Sequence, residues 1–94
     1  MSWTLRFHPA TRKDIRRLSQ ERRDFILNNV LPKISTDPHQ NGSPLHGPLK
    51  GLWKHQAGGD RIAYAIDQKL KEVIIIEIGP RGGFYKRLHK RLQK

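Results

Sequence analysis

Ninety-four residues are enough for one domain with a single modest core and too few for two. The chain has no cysteine, which excludes disulfides, thiolate-held zinc and thiol nucleophiles. Nineteen Lys and Arg stand against eight Asp and Glu, a formal net charge of +11, and such an excess points to a polyanionic partner, whether nucleic acid, an acidic protein or a membrane surface. The apolar run Val73–Ile76 is far shorter than a bilayer requires, and the opening MSWTLRFHP lacks the apolar centre of a signal peptide. The expectation is an unprocessed cytoplasmic chain with no membrane partner.

Trp3, Leu5 and Phe7 alternate with Thr4 and Arg6, the pattern of a half-buried strand that Pro9 then breaks. Thr11 followed by Asp14 reads as a helix start, with Ile15 and Leu18 as its apolar stripe and Arg12, Lys13, Arg16 and Arg17 outward. Ser19 caps a second helix whose broad apolar face is Phe25, Ile26, Leu27, Val30, Leu31 and Ile34. Pro32 supplies no amide donor and must kink that helix or end its regular part. From Ser35 to Lys50 the prolines and glycines read as an ordered loop, pinned to the core by Leu45 and Leu49.

Two strands follow, Leu52–Gln56 and Arg61–Asp67, joined through Ala57-Gly58-Gly59-Asp60. Side chains alternate between faces, so Trp53, His55 and Ala57 share one face and Lys54 and Gln56 the other. On the returning strand Ile62, Tyr64 and Ile66 are the apolar face, opposite Arg61, Ala63 and Ala65. Lys54 and Arg61 therefore project from one face of a sheet whose other face is core, a geometry suited to a phosphate. Trp3, Trp53 and Tyr64 are assigned to the core, and His55 has the parity of a satisfied core histidine. His8, His39, His46 and His89 are too dispersed for metal ligation.

Leu70–Ile78 is nearly continuous in Val and Ile, as suits a strand covered on both faces. Glu77 interrupts it and needs a partner, for which Arg61 and Arg81 are the candidates. Gly79–Gly83 reads as a turn and Phe84–Lys94 as a short basic helix; this tail holds Arg81, Lys86, Arg87, Lys90, Arg91 and Lys94 and no acid. The elements make one α+β domain over residues 1–94. It has an N-terminal strand, a two-helix hairpin, a three-stranded antiparallel meander and a C-terminal helix, with the hairpin packed on a mainly antiparallel four-stranded sheet. The N-terminal strand must join the edge of the meander or lie beside the last strand.

The ordered set Thr11-Arg12-Lys13-Asp14-Ile15, Asp37-Pro38, Pro44-Leu45-His46-Gly47, Leu52-Trp53-Lys54, Gly59-Asp60-Arg61-Ile62-Ala63-Tyr64, Ile78-Gly79-Pro80-Arg81 and Phe84-Tyr85 resembles the RelE/ParE superfamily, the toxin half of type II toxin–antitoxin pairs, nearly end to end. RelE-like members cleave messenger RNA in the ribosomal A site, whereas ParE-like members poison DNA gyrase and lack the nuclease residues. The resemblance places Lys54, Arg61, Arg81 and Tyr85 at the catalytic positions and so leans toward a metal-independent endoribonuclease with no cofactor. Gln56 departs from the Lys or Arg often found at its position, and Pro80 from the His often found before the last arginine. Catalysis could then be carried partly by His55 or His46.

RNA brings its own nucleophile, the 2′-hydroxyl, so the site must accept its proton, stabilise the charged phosphorane and protonate the leaving oxygen. The candidate roles are Lys54 as general base, or as charge stabiliser if it keeps its proton. Arg61 clamps the non-bridging oxygens, and Arg81 is a second clamp or the partner of the leaving group. Tyr85 stacks on a base or orients the substrate, or simply packs its helix on the sheet. Gln56, His55, Lys50, Lys86, Arg87 and Lys90 are the supporting or RNA-binding candidates. The implied partners are the ribosome with its messenger RNA and a cognate antitoxin whose acidic helical segment covers the basic face, in a toxin–antitoxin hetero-oligomer. A ParE-like gyrase inhibitor, or a non-catalytic nucleic-acid-binding relative, is the alternative.

Overall fold

The computed structural model describes residues 2–93; Met1 and Lys94, the last of the tail cations, lie outside the described residues. Strand β1 (Thr4–Phe7) ends where Pro9 can no longer donate, the last ladder bond running from the His8 N–H to the Ile75 carbonyl. Helix α1 (Thr11–Arg17) begins at Thr11 itself, which is the first helical residue and not its cap. The Thr11 hydroxyl donates to the His8 carbonyl (2.7 Å), and Asp14 is buried and engaged elsewhere. Ser19 does cap α2 (Gln20–Phe25), accepting from the Arg22 N–H at 3.3 Å.

Helix α2 runs on through a π turn (Ile26–Val30) into α3 (Leu31–Thr36). In that turn the Leu31 N–H reaches five residues back to the Ile26 carbonyl. Pro32, with no N–H and a ring that would crowd the preceding turn, is thereby seated at the start of a fresh helical run. Ile26, Val30, Leu31 and Ile34 are buried, while Phe25 and Leu27 are exposed: successive helical residues are set about 100° apart, so three in a row cannot share one face.

The sheet has five strands in the order β1-β5-β4-β3-β2. Strands β3 (Leu52–Ala57), β4 (Asp60–Asp67) and β5 (Glu72–Pro80) form the antiparallel meander, and β1 lies parallel beside β5. Four strands are thus as expected, and a fifth, β2 (Ser43–Pro44), emerges from the stretch read as loop, pairing with Trp53 and Lys54. The hairpin is tighter than its sequence suggested: Ala57 pairs with Asp60, leaving only Gly58-Gly59 to turn, with Gly58 at φ +63°. The last strand is shifted toward the C-terminus. Leu70 is an exposed turn residue whose N–H bonds to the Asp67 side chain, and Gly79 and Pro80 belong to β5, not to the turn.

A β-bulge decides what β5 presents. Ala63 pairs with Glu77 but Tyr64 with Ile75, so Ile76 is the extra residue. Val73, Ile75 and Ile78 join Ile62, Tyr64 and Ala57 under the helices Thr11–Arg17 and Gln20–Thr36. Ile76 and Glu77 both go to the other face, where α4 (Phe84–Leu92) packs Phe84 and Leu88 on Ala63 and Ile76. The face carrying Lys54 and Arg61 is therefore half covered by a second, smaller core, onto which Leu45 and Leu49 also pack.

Candidate functional site

Strand pairing sets the site. Lys54 lies opposite Ala63 and Gln56 opposite Arg61, so all of these side chains share the α4 face of the sheet. Helix α4 starts beyond Gly83, whose φ of +72° turns the chain back over the sheet, and its second residue, Tyr85, lands beside both cations. The Arg61 guanidinium carbon is 5.0 Å from the Tyr85 ring centroid and the Lys54 Nζ 5.8 Å from it. Lys54, Arg61 and Tyr85 are each half-buried, while Gln56 is exposed at the rim. Arg61 Nε donates to Gln56 Oε1 at 2.7 Å, and Gln56 Nε2 donates to the Gly58 carbonyl at 2.6 Å.

The other sequence candidates are distributed unevenly. Arg81 is exposed in the turn between β5 and α4, its backbone N–H held by the Gly59 carbonyl at 3.0 Å; among the described residues no ion pair engages its side chain. Lys50, after a short 3-10 turn (Gly47–Leu49), and Lys86 and Lys90, on α4, are exposed. His55 sits on the opposite face of β3, as its parity requires, with a ring nitrogen bonded to the Asn41 carbonyl. It does not join Lys54 and Arg61.

Arg87, a supporting or RNA-binding candidate from the sequence, is engaged within the protein. Its two terminal nitrogens donate to the Gly82 and Pro80 carbonyls, each at 2.6 Å, and its Nε lies 3.5 Å from Glu77. These donors fasten the β5–α4 turn. Arg91, another of the tail cations, is likewise engaged: it grips Asp14 with both terminal nitrogens (2.7 and 2.9 Å) and the Ile76 carbonyl at 2.7 Å. Asp14 in turn accepts from the Ile78 N–H at 3.0 Å. The pair thereby satisfies the part of β5 that lies past the end of β1.

Glu77 takes neither expected partner. Buried at 1 % exposure, it lies 3.5 Å from Arg87 and 3.7 Å from Arg91, without a hydrogen bond to either carboxylate oxygen. Burial pushes its carboxyl above the ordinary carboxylate range, and Asp14 adds to the shift, while Arg91 and Arg87 offset part of it. On the hairpin face the Tyr64 phenol is pushed up to about 12, mainly by burial and secondly by Asp37. Its hydroxyl donates to the Pro38 carbonyl at 2.7 Å.

Lys54 and Gln56 line a hollow of about 330 Å³ with Gly42 and Ser43. A cavity of about 630 Å³ lies elsewhere, between α2 and the β3–β4 turn, lined by Arg22, Phe25, Gly59 and Asp60. A half-buried tyrosine beside two cations on the face of a sheet suits a partner that is itself large, planar in parts and anionic. Sequence reasoning found Lys54, Arg61 and Tyr85 from strand parity and resemblance. It missed the Gln56–Arg61 bond, whose only signal was the position of Gln56 and Arg61 at the facing ends of the two strands.

Fold and site together define a small cationic α+β domain with helices on both faces of its sheet. The chain is 32 % identical over 74 residues to toxin RelE of Mycobacterium tuberculosis, covering 79 % of this chain and 76 % of that protein. It is 28 % identical over 87 residues to toxin RelG of the same organism, covering 93 % and 100 %. A RelBE2 toxin–antitoxin complex from M. tuberculosis superposes with a TM-score of 0.81 at 26 % identity, covering 86 % of this chain and all of that one. The isolated RelE toxin of Escherichia coli, at 19 % identity, shares the fold with a TM-score of 0.68. No protein-family model matches the chain. The chain belongs to the RelE family of toxins. Among the described residues no helix is long and apolar enough to cross a membrane.

Proposed function

We propose that this protein is the toxin of a type II toxin–antitoxin pair and acts as a ribosome-dependent endoribonuclease that cuts messenger RNA in the A site. The observation that carries the reading is the grouping of Lys54, Arg61 and Tyr85 on one sheet face, with Arg81 on the turn that leads into α4. In the proposed reaction the 2′-oxygen bonds to phosphorus as its proton passes to Lys54, or to solvent if Lys54 acts as a fixed charge. The bond from phosphorus to the 5′-oxygen then breaks, and that oxygen takes up a proton. The products are a 2′,3′-cyclic phosphate and a 5′-hydroxyl. Arg61 offers its terminal N–H donors to the non-bridging oxygens, where negative charge accumulates in the transition state. Arg81 is the second clamp or the partner of the leaving oxygen. Tyr85 offers a ring face to a base.

The toxin–antitoxin complexes among the structural relatives support an antitoxin as partner. With a net charge of +11, an acidic segment is the complementary ligand, covering the basic face and blocking the site. Messenger RNA on programmed ribosomes, probed by primer extension, tests the reading. Cuts in the A site that fall to a small fraction of the wild-type yield in Arg61→Ala and Arg81→Ala are the expected result. Intact message on occupied ribosomes would overturn it and turn attention to gyrase.

A further inference from the structure

Among the described residues Gln56 is the one uncharged polar side chain bonded into the cationic cluster, and both ends of its amide are committed. The Gly58 carbonyl only accepts and the Arg61 Nε–H only donates. One orientation of the amide satisfies both, with NH₂ toward Gly58 at 2.6 Å and C=O toward Arg61 at 2.7 Å. The support is rigid, because Gln56 and Arg61 pair next to Ala57 and Asp60, which close the hairpin, and Gly58 is held at φ +63°. On its other side the guanidinium meets the Tyr85 ring at 5.0 Å.

We propose that Gln56 is a positioning residue for Arg61. It occupies Nε, sets the plane of the guanidinium against Tyr85, and leaves the Nη1 and Nη2 edge to meet a phosphate bidentately. A cation in its place would add charge beside the phosphate but would repel Arg61 and offer no acceptor. The role in reaction rests on the ribonuclease reading above; the hold on Arg61 does not.

Two measurements separate these. In ¹⁵N–¹H spectra of the intact protein, wild type shows a slowly exchanging Arg61 Nε–H, identified by its absence in Arg61→Ala. In Gln56→Met, a near-isostere without the acceptor, that signal exchanges as fast as those of exposed arginines. A wild-type Nε–H with no protection overturns the proposal. In single-turnover cleavage on programmed ribosomes, Gln56→Met slows cutting roughly 10- to 100-fold, the scale expected for a reacting group misplaced by about an ångström, with ribosome affinity unchanged. Adding Gln56→Met to Arg61→Ala slows cutting no further. Effects that multiply, or a Gln56→Lys variant faster than wild type, would show that Gln56 does not act through Arg61. If wild-type protein cuts nothing, the function reading fails while the Nε–H signal still decides whether Gln56 holds Arg61.

Discussion

The two faces of the sheet are built on different physics. Under the helices Thr11–Arg17 and Gln20–Thr36 lies an aliphatic core of Ile26, Ile34, Ile62, Val73 and Ile75 around Tyr64, whose one polar atom is satisfied by Pro38. Under α4 the apolar cluster is small, and the helix is fastened by charge instead: Asp14, Glu77, Arg87 and Arg91 form a buried or half-buried network around Phe84 and Leu88. A core of aliphatic side chains holds its shape but offers nothing to an anion. The face that leaves Lys54 and Arg61 accessible has less apolar surface with which to seat the helix bearing Tyr85. Ion pairs of Arg87, in its first half, and Arg91, near its end, supply that seating, which separates the residues that hold the helix from Lys54, Arg61 and Tyr85.

This contrast can be broken from either side. The largest effect is expected from Arg91→Ala, which leaves Asp14 buried and unpaired; removing one member of such a pair costs about 3–5 kcal/mol, read as a lower urea midpoint. Arg91→Lys should recover little, since one ammonium cannot replace the two-pronged contact. Next come Lys54→Ala and Arg61→Ala, each expected to slow cleavage by about 10²–10³, the loss typical of a donor aimed at developing charge. Their urea midpoints should stay near wild type, because neither side chain is an anchor of a core.

On the hairpin face the effects should fall on stability alone. A Cβ on Gly42 would meet the Tyr64 hydroxyl at 1.8 Å and the Lys54 carbonyl at 2.9 Å, so Gly42→Ala should cost about 1–3 kcal/mol by overpacking. Tyr64→Phe, which strands the Pro38 carbonyl, should cost about 1 kcal/mol at neutral pH. Its pH dependence sharpens the comparison. The folded phenol is raised from 10.0 to about 12, so the folded state holds its proton more tightly than the unfolded chain does. That contribution is fully present below pH 10 and is lost as pH rises from 10 to about 12. Wild type should lose stability across that window more steeply than Tyr64→Phe in urea titrations at successive pH values.

Much of this was legible from short-range rules. Alternation placed Lys54, Gln56 and Arg61 on one face and Trp53, His55 and Tyr64 on the other, because strand periodicity depends on nothing distant. Ser19 announced its helix, and the Gly58-Gly59 turn its hairpin. The β5 boundary was missed because Leu70 looks like a strand residue until Lys71, at φ +56°, turns the chain. The fate of Arg87 and Arg91 was missed because nothing local separates a cation that will be captured by a buried acid from one that stays in water.

The sequence by itself determined the α+β class, the cationic character and the face on which the cluster lies, since composition and two-residue periodicity are local properties. Only the tertiary structure decided which acids those arginines meet, that a bulge at Ile76 turns Glu77 under α4, and that Gln56 holds Arg61. Those are contacts between residues brought together by sheet register and helix docking. The register is set by the whole hairpin and the docking by the whole core, so no single residue encodes either.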